Sequence, residues 1–134
     1  MLEELTIRTE LHCEFINIDS EVQRVVDRSG VREGMAHVYV PHTTAGLTIN
    51  ENADPDVRAD MEKILERAVP WTADYAHAEG NSAAHVKASM MGSSQSVFVR
   101  GGRLVFGTWQ SLFFCEFDGP RTRKVWVRIQ EFGP

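Results

Sequence analysis

Three stretches of this sequence hold the side chains suited to chemistry. The first runs Pro41-His42-Thr43-Thr44-Ala45-Gly46-Leu47-Thr48 and on to Asn50-Glu51-Asn52. A histidine, threonine hydroxyls and a glycine between apolar runs suit a turn whose O–H and N–H groups cradle phosphate without net positive charge. The same residues also suit a hairpin turn whose hydroxyls satisfy their own backbone. The second stretch is His77-Ala78-Glu79-Gly80-Asn81-Ser82-Ala83-Ala84-His85-Val86-Lys87. Neutral imidazole is the commonest metal ligand near neutral pH. The spacing of His77 and His85 matches no zinc signature such as H-E-x-x-H. The two rings meet only if the loop folds back, and a third ligand must come from elsewhere, with His42 the candidate. The alternative is a pair of surface or capping histidines. Lys87, two residues past His85, leaves a helix on another face. It either reaches a phosphate near the helix start or stays solvated. Gly92-Ser93-Ser94 adds hydroxyl donors or makes a turn.

The third stretch is Gly107-Thr108-Trp109-Gln110, followed by Glu116-Phe117-Asp118-Gly119-Pro120-Arg121. Gln110 and Glu116 are polar positions inside an apolar strand, and their even separation puts them on one face. Buried polar groups need partners, so the two are networked or line a site. Asp118 to Arg121 reads as a turn. His12 and His37 lie in strand-like runs and read as structural. No P-loop, dinucleotide fingerprint, C-x-x-C or nucleophile motif is present.

The elements that must position these groups alternate between strand and helix patterns. Residues 4–11 and 13–18 alternate as strands. Ser20 with Gln23 fits a capping box opening a helix whose apolar face is Val22, Val25 and Val26, and Gly30 fits its stop. Residues 34–41 and 46–51 are short strands. Asp54 as N-cap and Pro55 at the first helical position open the clearest helix, with Val57, Met61, Ile64, Leu65 and Ala68 on one stripe and Pro70 at its end. A shorter helix runs from Asn81-Ser82 to about Met91. Residues 96–100, a Gly101-Gly102 turn, a long run 104–117 bent or bulged at Gly107, and 124–132 complete the strands. The sum is α+β, with an antiparallel sheet and two or three helices on one face. The run 104–117 is apolar on both sides, and this predicts a partner subunit on the side the helices leave open.

Composition limits the function. The chain has 134 residues, one domain's worth over 1–134, and a net charge of −5. A nucleic-acid or anionic-membrane surface needs a basic field, so neither partner is expected. Two cysteines are too few for a disulfide scaffold. There is no apolar run of about 18 residues to span a bilayer. The acidic start Met1-Leu2-Glu3-Glu4 lacks a signal-peptide pattern, and the expected location is cytoplasmic.

Taken as a series, the three stretches resemble the YjbQ family, whose members are described as secondary thiamine-phosphate synthase enzymes. The resemblance carries the run His42 to Glu51, His85-Val86-Lys87-Ala88-Ser89 through Ser94, Gly107-Thr108-Trp109-Gln110 and Glu116 to Arg121, and it covers essentially the whole chain. It implies a homotrimer whose sheets pack as a pseudo β-prism. It implies a site near the subunit boundary able to hold a divalent metal, zinc or magnesium, on His42, His77 and His85. On the same resemblance His42, Lys87 and Glu51 are the catalytic candidates, and Thr43, Thr44, Asn50, Ser94, Gln110 and Arg121 the substrate-binding ones. The implied reaction joins a pyrimidine pyrophosphate to a thiazole phosphate and releases pyrophosphate. Other readings of the same residues are a metal-dependent phosphohydrolase and an accessory protein that binds a small anion or metal.

Overall fold

A computed structural model describes residues 1–133. Its elements are β1 Leu2–Arg8, β2 Glu14–Asn17, α1 Asp19–Ser29, β3 Glu33–Tyr39, β4 Ala45–Glu51, α2 Pro55–Ala68, α3 Ser82–Met91, β5 Ser94–Arg100, β6 Arg103–Leu104, β7 Gln110–Glu116 and β8 Thr122–Glu131. The α+β class with antiparallel pairing is as expected from the sequence. The strands, however, divide between two sheets, one ordered β1-β8-β3-β5-β6 and the other β2-β7-β4.

Alternation explains the layers. In β8 Val125 and Val127 turn inward, with Ala36 and Val38 of β3 and Val99 of β5 beside them. Against this inner face pack α1, through Val22, Val25 and Val26, and one face of the small sheet, through Leu47, Leu112 and Phe114. The other face of the small sheet carries Phe15, Phe113 and Cys115, which pack against Ala84 and Ala88 of α3. Met61 and Leu65 of α2 adjoin that second cluster. All three helices therefore lie on the covered side of the large sheet, as expected, with α1 on one side of the small sheet and α3 and α2 on its other.

This layering corrects two readings. The run 104–117 is not one bent strand: β6 ends the large sheet, the chain turns at Gly107 to Trp109, and β7 becomes the centre of the small sheet. Both apolar faces of β7 are covered within the chain, so its two-sidedness gives no argument for a partner. The open apolar face is instead the outer face of the large sheet, where Phe98 and Tyr39 are exposed and Tyr39 stacks on Trp126 at 5.7 Å.

Helix ends follow local chemistry in most places. Asp54 caps α2, its carboxylate accepting the Asp56 N–H at 2.9 Å. Gly30 closes α1 in the left-handed region, with φ 70°. The Ser20–Gln23 capping box does not form. Gln23 instead holds the β5–β6 turn, donating to the Gly102 carbonyl at 2.9 Å and accepting from the Leu104 N–H at 3.0 Å.

Candidate active site

His42 lies between β3 and β4, and His85 lies on α3. The two elements meet because residue 46 has no side chain: a Cβ on Gly46 would stand 2.8 Å from the Gly92 carbonyl oxygen and 3.0 Å from Met91 Cβ. The Leu47 N–H donates to that Gly92 carbonyl at 3.0 Å, tying the C-terminal end of α3 to β4. A cleft of about 490 Å³ opens between them, bordered by His42, Thr43, His85, Ser89, Gly92 and Ser93. His77 packs edge-on against His85, with ring centroids 5.7 Å apart. The loop does fold back, so the three histidines form a chain of neighbours with His85 in the middle.

The state of His42 is fixed by one bond. Its Nε2 accepts the backbone N–H of Lys124 at 2.8 Å. The ring's lone pair is thereby committed, and in the neutral ring Nδ1 carries the proton. Burial lowers the His42 pKa, and the charges of Arg123 and Arg121 lower it further. In this arrangement the neutral His42 ring is a hydrogen-bond donor at its free nitrogen, and its lone pair is engaged by the Lys124 N–H. Among the described residues no group of three or more His, Cys, Asp or Glu side chains is arranged to hold a metal ion.

The other candidates separate. Thr43 and Ser93 border the cleft, whereas Ser94 opens β5 and pairs with Tyr39. Thr44 is buried, its hydroxyl accepting from Arg123 Nη2 at 2.9 Å. Asn50, Glu51 and Gln110 are at the far end of β4 from His42, where Glu51 and Gln110 face each other in register. Six residue steps put that end roughly 20 Å away. Gln110 Oε1 accepts the Gly107 N–H at 2.8 Å and shapes the turn into β7. Arg121 donates from Nε to the Asp118 carbonyl at 2.7 Å and from Nη2 to its carboxylate at 2.9 Å. Its charge still reaches His42. Lys87 points away from the cleft to Glu66 of α2, at 2.7 Å, with its side chain 3% exposed.

Glu116 is networked rather than in the cleft. Arg123 Nε donates to Glu116 Oε1 at 2.8 Å, its Nη2 bonds Oε2, and the Thr9 hydroxyl donates to Oε1 at 2.8 Å. The Asp118 N–H donates to Oε2 at 3.0 Å. This buried pair joins β7 of one sheet to β8 of the other. Arg123 was missed in the sequence, although a charged residue in register with the inward positions Val125 and Val127 was the signal. Ser89, one turn beyond His85 on the same helix face, was readable by the same periodicity.

The family model described as UPF0047 protein YjbQ-like matches residues 3–132. The UPF0047 protein YugU of Bacillus subtilis (strain 168) is 50% identical over 130 residues, covering 96% of this chain and 98% of that protein. A UPF0047 protein of Methanocaldococcus jannaschii is 45% identical, covering 96% and 94%. The crystal structure of an uncharacterized conserved protein of the YjbQ/UPF0047 family from Clostridium acetobutylicum is 54% identical, with a TM-score of 0.93, covering 96% of this chain and 99% of that one. The chain belongs to the YjbQ/UPF0047 family.

Proposed function

We propose that the chain is an enzyme acting on a small phosphorylated compound whose phosphate end sits in the His42–His85 cleft. The observation that carries this is the fixed tautomer of His42. The Lys124 N–H holds Nε2 as acceptor, so the other nitrogen is a preorganised donor. The Thr43 and Ser93 hydroxyls at the same cleft add donors, and the nearby Arg121 guanidinium adds positive potential. His85 lies opposite and supplies a group to hand a proton to the leaving oxygen. The reaction implied by the resemblance fits this arrangement. A ring nitrogen of the thiazole phosphate attacks the methylene of the pyrimidine pyrophosphate, the C–N bond forms, and the C–O bond breaks. Pyrophosphate leaves with the electron pair, and its charge is what the donors stabilise. A cytoplasmic location goes with substrates of this kind.

A divalent ion was the other expected aid. The three-histidine set does not fit a resident ion, because the His42 lone pair is committed and His77 with His85 gives two imidazoles only. Magnesium would in addition want oxygen ligands. The proposed steps therefore rest on the chain's own groups. The resemblance also supports a homotrimer, for which the outer face of the large sheet offers Tyr39, Phe98 and Trp126.

The test is pyrophosphate release from the paired substrates by wild type, His42→Ala and His85→Ala, with circular dichroism as the folding control. Each variant is expected to lose about 100-fold or more in kcat. Full turnover in folded His42→Ala refutes the assignment. Phosphate release from a single substrate would make the enzyme a phosphohydrolase, and saturable binding without turnover across a phosphoester panel would make the cleft an anion-binding module.

A further inference from the structure

A second, larger cavity lies on the other side of α3 from the His42 cleft. It measures about 630 Å³ and sits where α2 stands off the small sheet. The stand-off shows in the helix itself: none of the 14 residues of α2 is buried, and Met61 and Leu65 reach the second core cluster only as half-buried side chains. The walls are apolar and flat, from Phe15 of β2, Phe117 beyond β7, and Trp71 beyond α2. His12, read as structural in the sequence, stands edge-on to Trp71 with ring centroids 4.3 Å apart.

The polar groups decide what such a cavity takes. Three carboxylates, Glu14, Glu62 and Glu66, face it beside one ammonium, Lys87. Glu66 is matched by Lys87 at 2.7 Å, so neither is free to define a ligand. Glu14 accepts the N–H groups of Glu10 and Leu11, at 2.6 and 2.8 Å, which shapes the β1–β2 connection. Glu62 is a half-buried carboxyl. Burial raises its pKa, the Arg58 charge and then a hydrogen bond from the Phe15 backbone N–H work against that rise, and the Glu14 charge adds to it. Negative charge in this cavity therefore exceeds positive, and it lies against aromatic faces, whose quadrupoles also attract cations. An anion would meet a lysine already paired and two further carboxylates.

We propose that this cavity is a second binding site, for an organic cation with a flat apolar body, such as an aryl amidine or an arylalkyl amine. The ring lies among Phe15, Trp71 and Phe117, and the charged end meets Glu62. A ligand here also supplies packing that α2 lacks. The site is independent of the His42 cleft and of the reaction proposed there.

The test uses benzamidine on the intact chain, followed by calorimetry and by Trp71 fluorescence. Benzamide, the uncharged isostere, and benzoate, the anion, are the comparison probes. The expected result is saturable benzamidine binding, weakened at least about tenfold in benzamide and in Glu62→Gln. Trp71→Leu should lower affinity too and abolish the fluorescence change. Glu62→Gln is isosteric on a half-exposed helix, and its melting temperature checks that it folds, so the proposal stays testable if Trp71→Leu does not. Absence of benzamidine binding at millimolar concentration overturns the proposal. So does benzamide or benzoate binding as tightly, or benzamidine affinity unchanged in Glu62→Gln.

Discussion

At the scale of single residues, two buried or half-buried groups have their charge states set by neighbours. His42 is held below the usual histidine pKa by burial first and then by Arg123 and Arg121. A base with a depressed folded pKa favours the native state above its unfolded value, about 6.5, and that contribution is lost as pH falls through the folded value. An NMR titration should place the His42 midpoint below the ordinary histidine value, about 6.5. A midpoint at or above that value would contradict the neutral donor. Glu116 is the opposite chemistry with the same sign. Burial alone would raise it, but the Arg123 guanidinium, the Asp118 N–H and the Thr9 hydroxyl outweigh burial and hold it below the ordinary carboxylate value. Its contribution is present above the unfolded pKa, about 4.3, and is lost as pH falls through the folded one. Arg123→Met leaves the carboxylate buried without its cation and should cost about 3–5 kcal/mol at neutral pH by urea unfolding. The variant's Glu116 then prefers to be protonated, so acidification should narrow its deficit against wild type. Parallel pH profiles for the two proteins would show that Glu116 does not depend on Arg123.

At the scale of elements, local signals were readable where local chemistry sets the outcome. Asp54-Pro55 opens α2, Pro70 follows its end, and Gly30 closes α1. Asp54→Ala should cost about 1 kcal/mol of stability, and no loss in thermal unfolding would remove the cap from the account. Where partners are distant in sequence, local signals misled. Gln23 has the spacing of a capping residue, yet its amide goes to a turn 79 residues away. Alternation through 104–117 describes two strands as well as one, because sheet membership is set by pairing that no short window contains. The site divides in the same way. That His42, Thr43 and His85 border one cleft was partly legible, because imidazoles and hydroxyls there flank buried strands and helix turns. Lys87 could be assigned to a different helix face from His85, but not to Glu66, which depends on where α2 lies. Gly46 was read as turn chemistry and is in fact a packing site. A methyl there meets the Gly92 carbonyl at 2.8 Å, so Gly46→Ala must push α3 off β4. The expected cost is about 1–3 kcal/mol, with loss of the cleft chemistry alongside it. A variant as stable and as active as wild type would show that the helix yields freely.

At the scale of the whole molecule, the two sheets divide the apolar surface unequally. The small sheet is covered on one side by α1 and the large sheet, and on the other by α3 with α2 standing further off. The large sheet has one covered face. Its outer face carries Phe98, 60% exposed, beside Met35, its cross-strand partner, with Tyr39 stacked on Trp126 nearby. Charged neighbours on that face, Glu4 with Lys124 and Trp126 Nε1 with Glu4, hold a polar rim around this aromatic centre. An aromatic centre with a polar rim is the composition of a protein–protein interface, and aromatic anchors there contribute most of the association energy. The homotrimer implied by the family resemblance would use this face rather than β7, which the sequence had nominated. Phe98→Glu puts a charge into the centre of the patch without touching either core, since its side chain points away from Val97 and Val99. Light scattering coupled to size exclusion should give three times the chain mass for wild type and the single-chain mass for Phe98→Glu, with unchanged circular dichroism. A trimer that survives Phe98→Glu would move the interface to another face, and a monomeric wild type at high micromolar concentration would remove the trimer.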